Sequence, residues 1–139
     1  MRLQTVVKVK KSAVKDDFLL QDLRREAWAE EVIGTLHEEG VTTYKQLFEL
    51  IQNEQANPEL RADVGNEIRR LYKWIDKRRF VPPLLKALRS SHERVRENAV
   101  RALTNLDSKR AVQPLIELAC DQTQSWYMRY LAINGLHII

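Results

Sequence analysis

Two His-Glu dipeptides, His37-Glu38 and His92-Glu93, are the residues of this chain whose types could hold a metal ion. An imidazole beside a carboxylate suits iron or zinc, but a site needs three or four ligands converging on one point. The two pairs fall in different settings, one near the end of an acidic segment and one in a turn before a helix. Only His137 remains as a further histidine, so no metal ligand is expected. Cys120 is the single cysteine, which rules out an intramolecular disulfide and any multi-Cys zinc cluster. It ends an apolar helical pattern and reads as a small buried hydrophobe. Asp16-Asp17 and Glu30-Glu31 have no basic or aromatic frame and read as a solvated acidic face. There is no Gly-rich phosphate loop, nucleophile elbow or framed carboxylate pair. No catalytic residue and no cofactor follow, and the chain is not expected to be an enzyme.

The densest basic cluster is Arg69, Arg70, Lys73, Lys77, Arg78 and Arg79, with Asp76 as its one counter-charge. Such a cluster could neutralise nucleic-acid phosphates. It could also face an acidic protein surface, or simply be solvated. Adjacent Trp74 fits the edge of a helix core. The chain as a whole lacks the uniform positive excess of a dedicated DNA binder. Its net charge of +4 is segmented: +5 over residues 1–15, −6 over 16–40 and +5 over 41–139. These blocks set the expected organisation: a basic N-terminal arm (1–15), an acidic N-terminal helix (16–40) and a main domain (41–139).

With 139 residues, 44% hydrophobic and 30% charged, the chain can bury one core. No apolar run approaches the ~18 residues of a membrane span, so no membrane partner is expected. A reducing, cytoplasmic compartment fits the cysteine usage best. Four glycines and four prolines are few for an all-β chain. Helical signals dominate instead. Leu19, Leu23 and Ala27 form a stripe that Trp28, Val32 and Leu36 continue one residue over, and Gly40 suits a left-handed stop. This predicts a helix over 16–39. Thr43-x-x-Gln46 is a capping box, and Asn57-Pro58 supplies a cap and a first-turn proline. The stripe Leu60, Val64, Ile68, Leu71, Ile75 predicts one long helix. Pro82 and Pro83 are expected to open the next. Ser90-x-x-Glu93 reads as a second capping box before Val95, Ala99 and Leu103. A helix over Lys109–Ala119 and one capped by Gln124 or Ser125 complete the series.

The strongest signal is internal repetition. Asp76, Arg79, Val81, Pro83 and Leu84 recur as Asp107, Arg110, Val112, Pro114 and Leu115, all displaced by 31 residues. A second register aligns Leu60-Arg61, Val95-Arg96 and Met128-Arg129, then Val64, Ala99 and Ala132, then Ile68, Leu103 and Leu136. The pattern resembles HEAT repeats, in particular the short variant of phycobilin-lyase-type proteins. The shared features are a first-helix proline (Pro83, Pro114), a Val-Arg pair opening the second helix (Val95-Arg96) and an Asp-x-x-Arg turn (Asp107 to Arg110). The resemblance implies an all-α, right-handed α-solenoid of about three helix pairs over residues 43–138, with an N-terminal capping helix. It implies a structural role for the Asp and Arg. HEAT-repeat oxygenases carry iron-binding His-Glu pairs just after the Val-Arg, where this chain has Glu97-Asn98.

The resemblance also locates a surface. Outward positions of the second helices would line the concave side, giving Ala62, Glu97 and Tyr130 in one column and Asn66, Arg101 and Asn134 in another, extended by Arg70 and Lys73. Mixed charge with one tyrosine suits a protein partner better than a nucleic-acid groove. The chain reaches its last residues on apolar groups, so Trp126, Tyr127, Ile138 and Ile139 are candidates for a terminal interface. The expected function is a non-catalytic protein–protein interaction or scaffold module, with a homodimer through the C-terminal repeat among the options. The alternatives are a nucleic-acid binder using the 69–79 cluster and a partner subunit of a phycobilin-lyase-type assembly.

Overall fold

Asn57, Asp76 and Ser125 each stop the chain from continuing as coil and start a helix, because each carries an oxygen that reaches orphan N–H groups one turn on. A computed structural model describes residues 28–139, and these residues are all-helical with no β-sheet. The helices are α1 (Glu30–Glu38), α2 (Tyr44–Gln52), α3 (Pro58–Arg70), α4 (Lys77–Ala87), α5 (Glu93–Asn105), α6 (Val112–Cys120) and α7 (Trp126–Ile138). Short 3₁₀ turns, Tyr72–Trp74 and Lys109–Ala111, precede α4 and α6. The expected basic arm, and the acidic helix as far as residue 27, lie outside the described residues.

The caps follow the sequence at most ends. Thr43 and Gln46 close a reciprocal capping box on α2. Asn57 Oδ1 accepts from the Glu59 and Leu60 N–H groups, with Pro58 as the first helical residue. Asp76 accepts from the Arg78 N–H, and Ser125 from that of Met128. Two helices end in the same left-handed stop. Gly40, at φ 81°, lets its own N–H reach His37 O and that of Val41 reach Leu36 O. Asp107, at φ 53°, does the same with Thr104 O and, through Ser108, Leu103 O. Both are Schellman closures.

Five expectations are corrected. Of the helix expected over 16–39, the described residues show it only from Glu30, with Ala29 extended at ψ 133° as its N-cap. Trp28, just before it, is buried. The long helix through Ile75 stops at Arg70, so Lys73 sits in a 3₁₀ turn and Trp74 is 65% exposed rather than at a core edge. Pro82 and Pro83 lie inside α4, because Asp76 already caps the helix at Lys77. Having no N–H, they make no i→i−4 bonds of their own within the helix. The Ser90–Glu93 capping box does not form. Ser90 Oγ accepts from the His92 N–H and from Arg61 and donates to Glu54, while Glu93 accepts from Ser125. Cys120, the last residue of α6, is exposed, not buried.

Packing pairs α2 with α3, α4 with α5, and α6 with α7. The second helices, α3, α5 and α7, are each 13 residues long, and each lies against the next. α1 packs on α3 from the other side. One apolar core runs through all pairs, from Ile33, Leu36 and Leu47 through Ile68, Leu84 and Leu103 to Leu115 and Met128.

The fourth residue of every second helix is arginine, and each points back to the end of its own first helix. Arg61 donates to Ile51 O through Nε (3.2 Å) and Nη2 (2.9 Å). Arg96 Nη1 donates to Ser90 O at 2.8 Å, and Arg129 Nε to Ala119 O at 3.4 Å. Carbonyls left over at a helix C-terminus carry partial negative charge, so a guanidinium satisfies both the hydrogen bond and the dipole. Arg61 is fully buried and also pairs with Glu54 at 3.2 Å. Glu54 accepts from the Ser91 N–H and hydroxyl and from Ser90, tying the α2–α3 turn to the α4–α5 turn.

Two outcomes follow. Asp107→Gly removes the Cβ penalty of a left-handed residue and should raise stability by about 0.5 kcal/mol in urea unfolding; an unchanged or lower midpoint would contradict the left-handed closure. The Ser91 hydroxyl and N–H hold the Glu54 carboxyl at about 2, below its ordinary 4.5, with Ser90 and Arg61 adding to the effect. A lowered folded value means that its stabilisation is present above the unfolded value and lost as pH falls through the folded one. Glu54→Gln should therefore flatten the stability profile between pH 4.5 and about 2. The same acid slope in both proteins would contradict the clamp.

Candidate interaction surface

The second helices meet at close range because small residues face the contact. Positions five and eight of α3 are Ala62 and Gly65. A Cβ on Gly65 would lie 3.0 Å from Asn98 Cβ of α5. This proximity lets Asn98 Nδ2 donate to Ala62 O at 2.7 Å and Asn105 Nδ2 to Arg69 O at 2.8 Å. The α5–α7 contact is built alike. A Cβ on Gly135 would lie 2.6 Å from Thr104 Oγ1 and 3.3 Å from Leu115 Cδ1. Ser125 Oγ donates to Glu93 Oε2 at 2.9 Å.

Part of the sequence-predicted surface comes together at the α5–α7 contact. Arg101 donates to Tyr127 Oη and places its guanidinium 5.9 Å from that ring. Tyr127 stacks on Tyr130 at 6.5 Å and meets Trp126 edge-on at 5.7 Å. Glu97 lies one turn before Arg101 and is half-buried; burial, then the neighbouring Glu93 carboxyl, push it above the usual carboxylate range. Glu97, Arg101, Tyr127, Tyr130 and Trp126 thus form one connected strip. Asn134 is exposed on the same helix as Tyr130.

Other candidates lie apart from that strip. Asn66 is held by Arg69 at 2.8 Å and lines an open hollow of about 300 Å³ between α1 and α3 with Asp63 and Glu67. Arg70 pairs with Glu67 at 2.6 Å. Lys73 lies 6.0 Å from the Tyr72 ring, off the helix that was expected to carry it. Ile138 is exposed, whereas Ile139 packs against the core and its carbonyl accepts from Lys109 Nζ at 2.9 Å. Sequence reasoning did not select Ile133, which is 56% exposed on α7. Its signal was the spacing of Trp126, Tyr130 and Ile133, the apolar stripe opposite the helix's buried side.

The residues of the basic cluster contact neighbouring groups, with Arg70, Lys73, Lys77 and Arg78 remaining exposed. Arg69 holds Asn66, Arg70 holds Glu67, Lys77 Nζ donates to Leu106 O, and Arg78 lies 3.7 Å from Asp76. The Arg79 guanidinium sits over the Tyr44 and Phe48 rings at 5.1 and 5.3 Å. His92 lies 3.7 Å from Glu54, and His37 is exposed on α1. Among the described residues no three His, Cys, Asp or Glu gather as metal ligands, and no helix is long and apolar enough to cross a membrane.

The carbonyl-seeking arginines and the paired stacking of helices recur from α2 to α7. A family model for HEAT repeats matches residues 44–137, which contains all of these features. The chain belongs to the HEAT-repeat family. Neither a curated protein nor a solved structure matches it. The HEAT assignment covers the helices that carry the strip from Glu97 to Tyr130 and leaves α1 outside it.

The close approach at Gly135 is testable. Overpacking costs about 1–3 kcal/mol and a Gly-to-Ala change in a helix gains about 1. Gly135→Ala should therefore destabilise the wild-type background but stabilise a Thr104→Ala background, read by urea unfolding. The same sign in both backgrounds would contradict the contact.

Proposed function

We propose that this chain is a non-catalytic protein-interaction scaffold, a right-handed solenoid of three short HEAT-like units of the phycobilin-lyase type. The 31-residue displacement of Asp76 to Leu84 onto Asp107 to Leu115, and the arginines opening each second helix, support that unit. The observation that carries the interaction reading is the strip across α5 and α7. Trp126 and Tyr130 are 76% and 55% exposed beside the Arg101–Tyr127 pair, and aromatic and arginine side chains are the usual anchors of protein interfaces. HEAT repeats commonly act as such scaffolds. The nucleic-acid reading rests on the 69–79 cluster, where Arg70, Lys73, Lys77 and Arg78 are exposed and Arg69 and Arg79 are held by Asn66 and by the Tyr44 and Phe48 rings.

The test is affinity capture from native lysate with the wild-type chain and with Arg101→Glu and Trp126→Ala variants. A defined protein retained by the wild type and lost with both variants is the expected result. Equal capture by all three, or none above a bare-resin control, would overturn the interaction reading.

A further inference from the structure

The first turn of α4 holds Lys77, Arg78 and Arg79 and no acidic residue. The positive end of a helix dipole favours anions there and disfavours cations. Arg79 is turned inward over the Tyr44 and Phe48 rings, but Lys77 and Arg78 are exposed. Their placement costs the fold stability, which the N-cap Asp76 offsets only in part. An anion held in front of α4 would meet both charges and the helix end.

A second turn lies beside the first. Lys77 Nζ donates to Leu106 O at 3.3 Å, and Asn105 Nδ2 to Arg69 O at 2.8 Å, so the 71–76 segment flanks 106–111. The 31-residue displacement that relates the pairs puts Lys109 where Arg78 stands and Arg110 where Arg79 stands, and both are exposed. Arg70 and Lys73 complete a row of exposed cations along the edge made by the turns between pairs. Lys77 and Lys109 each give one N–H to a backbone carbonyl, which leaves the ammonium charge uncompensated. Carboxylates on this edge are fewer: Glu67 beside Arg70, Asp76 beside Arg78, and Asp107. The turns inside the pairs, 53–57, 88–92 and 121–125, carry Glu54, Arg89 and Asp121 and have no positive excess.

Two aromatic rings stand within the row. The 3₁₀ turn Tyr72–Trp74 sets Lys73 between two exposed rings, its Nζ 6.0 Å from the Tyr72 ring, and Trp74 is 65% exposed rather than packed at a core edge. An acidic peptide needs the charges alone, and a duplex keeps its bases stacked inside. A single strand offers phosphates and free base faces together, the two chemistries that this turn presents side by side. We propose that the edge formed by residues 70–78 and 109–110 binds single-stranded nucleic acid. Its phosphates lie along the cations and its bases stack on Trp74 and Tyr72. This goes beyond the scaffold reading and uses none of the residues of the α5–α7 strip.

The full chain should be titrated against a fluorescein-labelled oligothymidylate of about 12 nucleotides, within the ~4–16 that small single-strand-binding domains occupy. The expected result is an anisotropy rise at about 50 mM salt that weakens at least ~10-fold at about 200 mM. In a Trp126→Phe background, where Trp28 is buried, the oligonucleotide should quench tryptophan emission. Lys73→Glu combined with Arg78→Glu should weaken binding at least ~10-fold and flatten the salt dependence. Glutamate at position 78 suits the start of α4, so the thermal midpoint of this variant should not fall. Trp74→Ala should weaken binding about tenfold with the salt dependence kept. No binding at the lower salt, or full binding by either variant, would overturn the proposal. So would a duplex of the same length, or polyglutamate, bound as tightly as the single strand; polyglutamate would assign the edge to an acidic protein instead.

Discussion

Everything in this molecule depends on how closely one second helix can lie against the next. No helix pair here can bury its apolar face alone, so the core exists only where pairs stack. Stacking is close because residues at the contact are small or absent: Ala62 and Gly65 on α3, and Gly135 on α7. Closeness is then exploited by polar groups. Asn98 and Asn105 reach backbone carbonyls on α3, and Ser125 reaches Glu93. These bonds fix the helices lengthwise, which apolar burial, being non-directional, cannot do.

A second set of bonds fixes each pair internally. The fourth-position arginines close the C-terminal ends of α2, the α4 turn and α6. Arg61 shows the device at its strongest, since it is buried and joins Ile51, Glu54 and Ser90. Its network binds the turn of one pair to the turn of the next. The interaction surface is a by-product of the same geometry. Because the register repeats, positions five and eight, buried as Ala62 and Gly65 on α3, emerge on α7 as the exposed Tyr130 and Ile133.

The sequence made the repetition legible because it is carried by residue identity: Asp, Arg, Val, Pro and Leu at fixed offsets, and an arginine after each second-helix apolar residue. The caps at Thr43, Asn57 and Ser125 were legible because they are local, needing only a side chain and the next turn. The Ser90 box failed because its two members are claimed by partners far along the chain, Glu54 and Ser125. The length of α3 was misread because a 3₁₀ turn preserves an apolar position at Ile75 without continuing the helix. On the candidate surface, Glu97 and Tyr130 were expected in one column with Ala62, which is instead buried against α5, and Arg101 in another. Tyr127 was selected only as part of a terminal patch, yet it is the residue that links the columns, through a contact across two helices that periodicity does not encode.

The fold stands on α3, α5 and α7 lying side by side in one register. Nuclear Overhauser contacts on the isotope-labelled chain test this directly. Cross-peaks are expected between Gly65 Hα and the Asn98 Hβ protons, and between Gly135 Hα and the Thr104 side chain. Absence of both sets, in a spectrum that shows the sequential contacts of each helix, would contradict it.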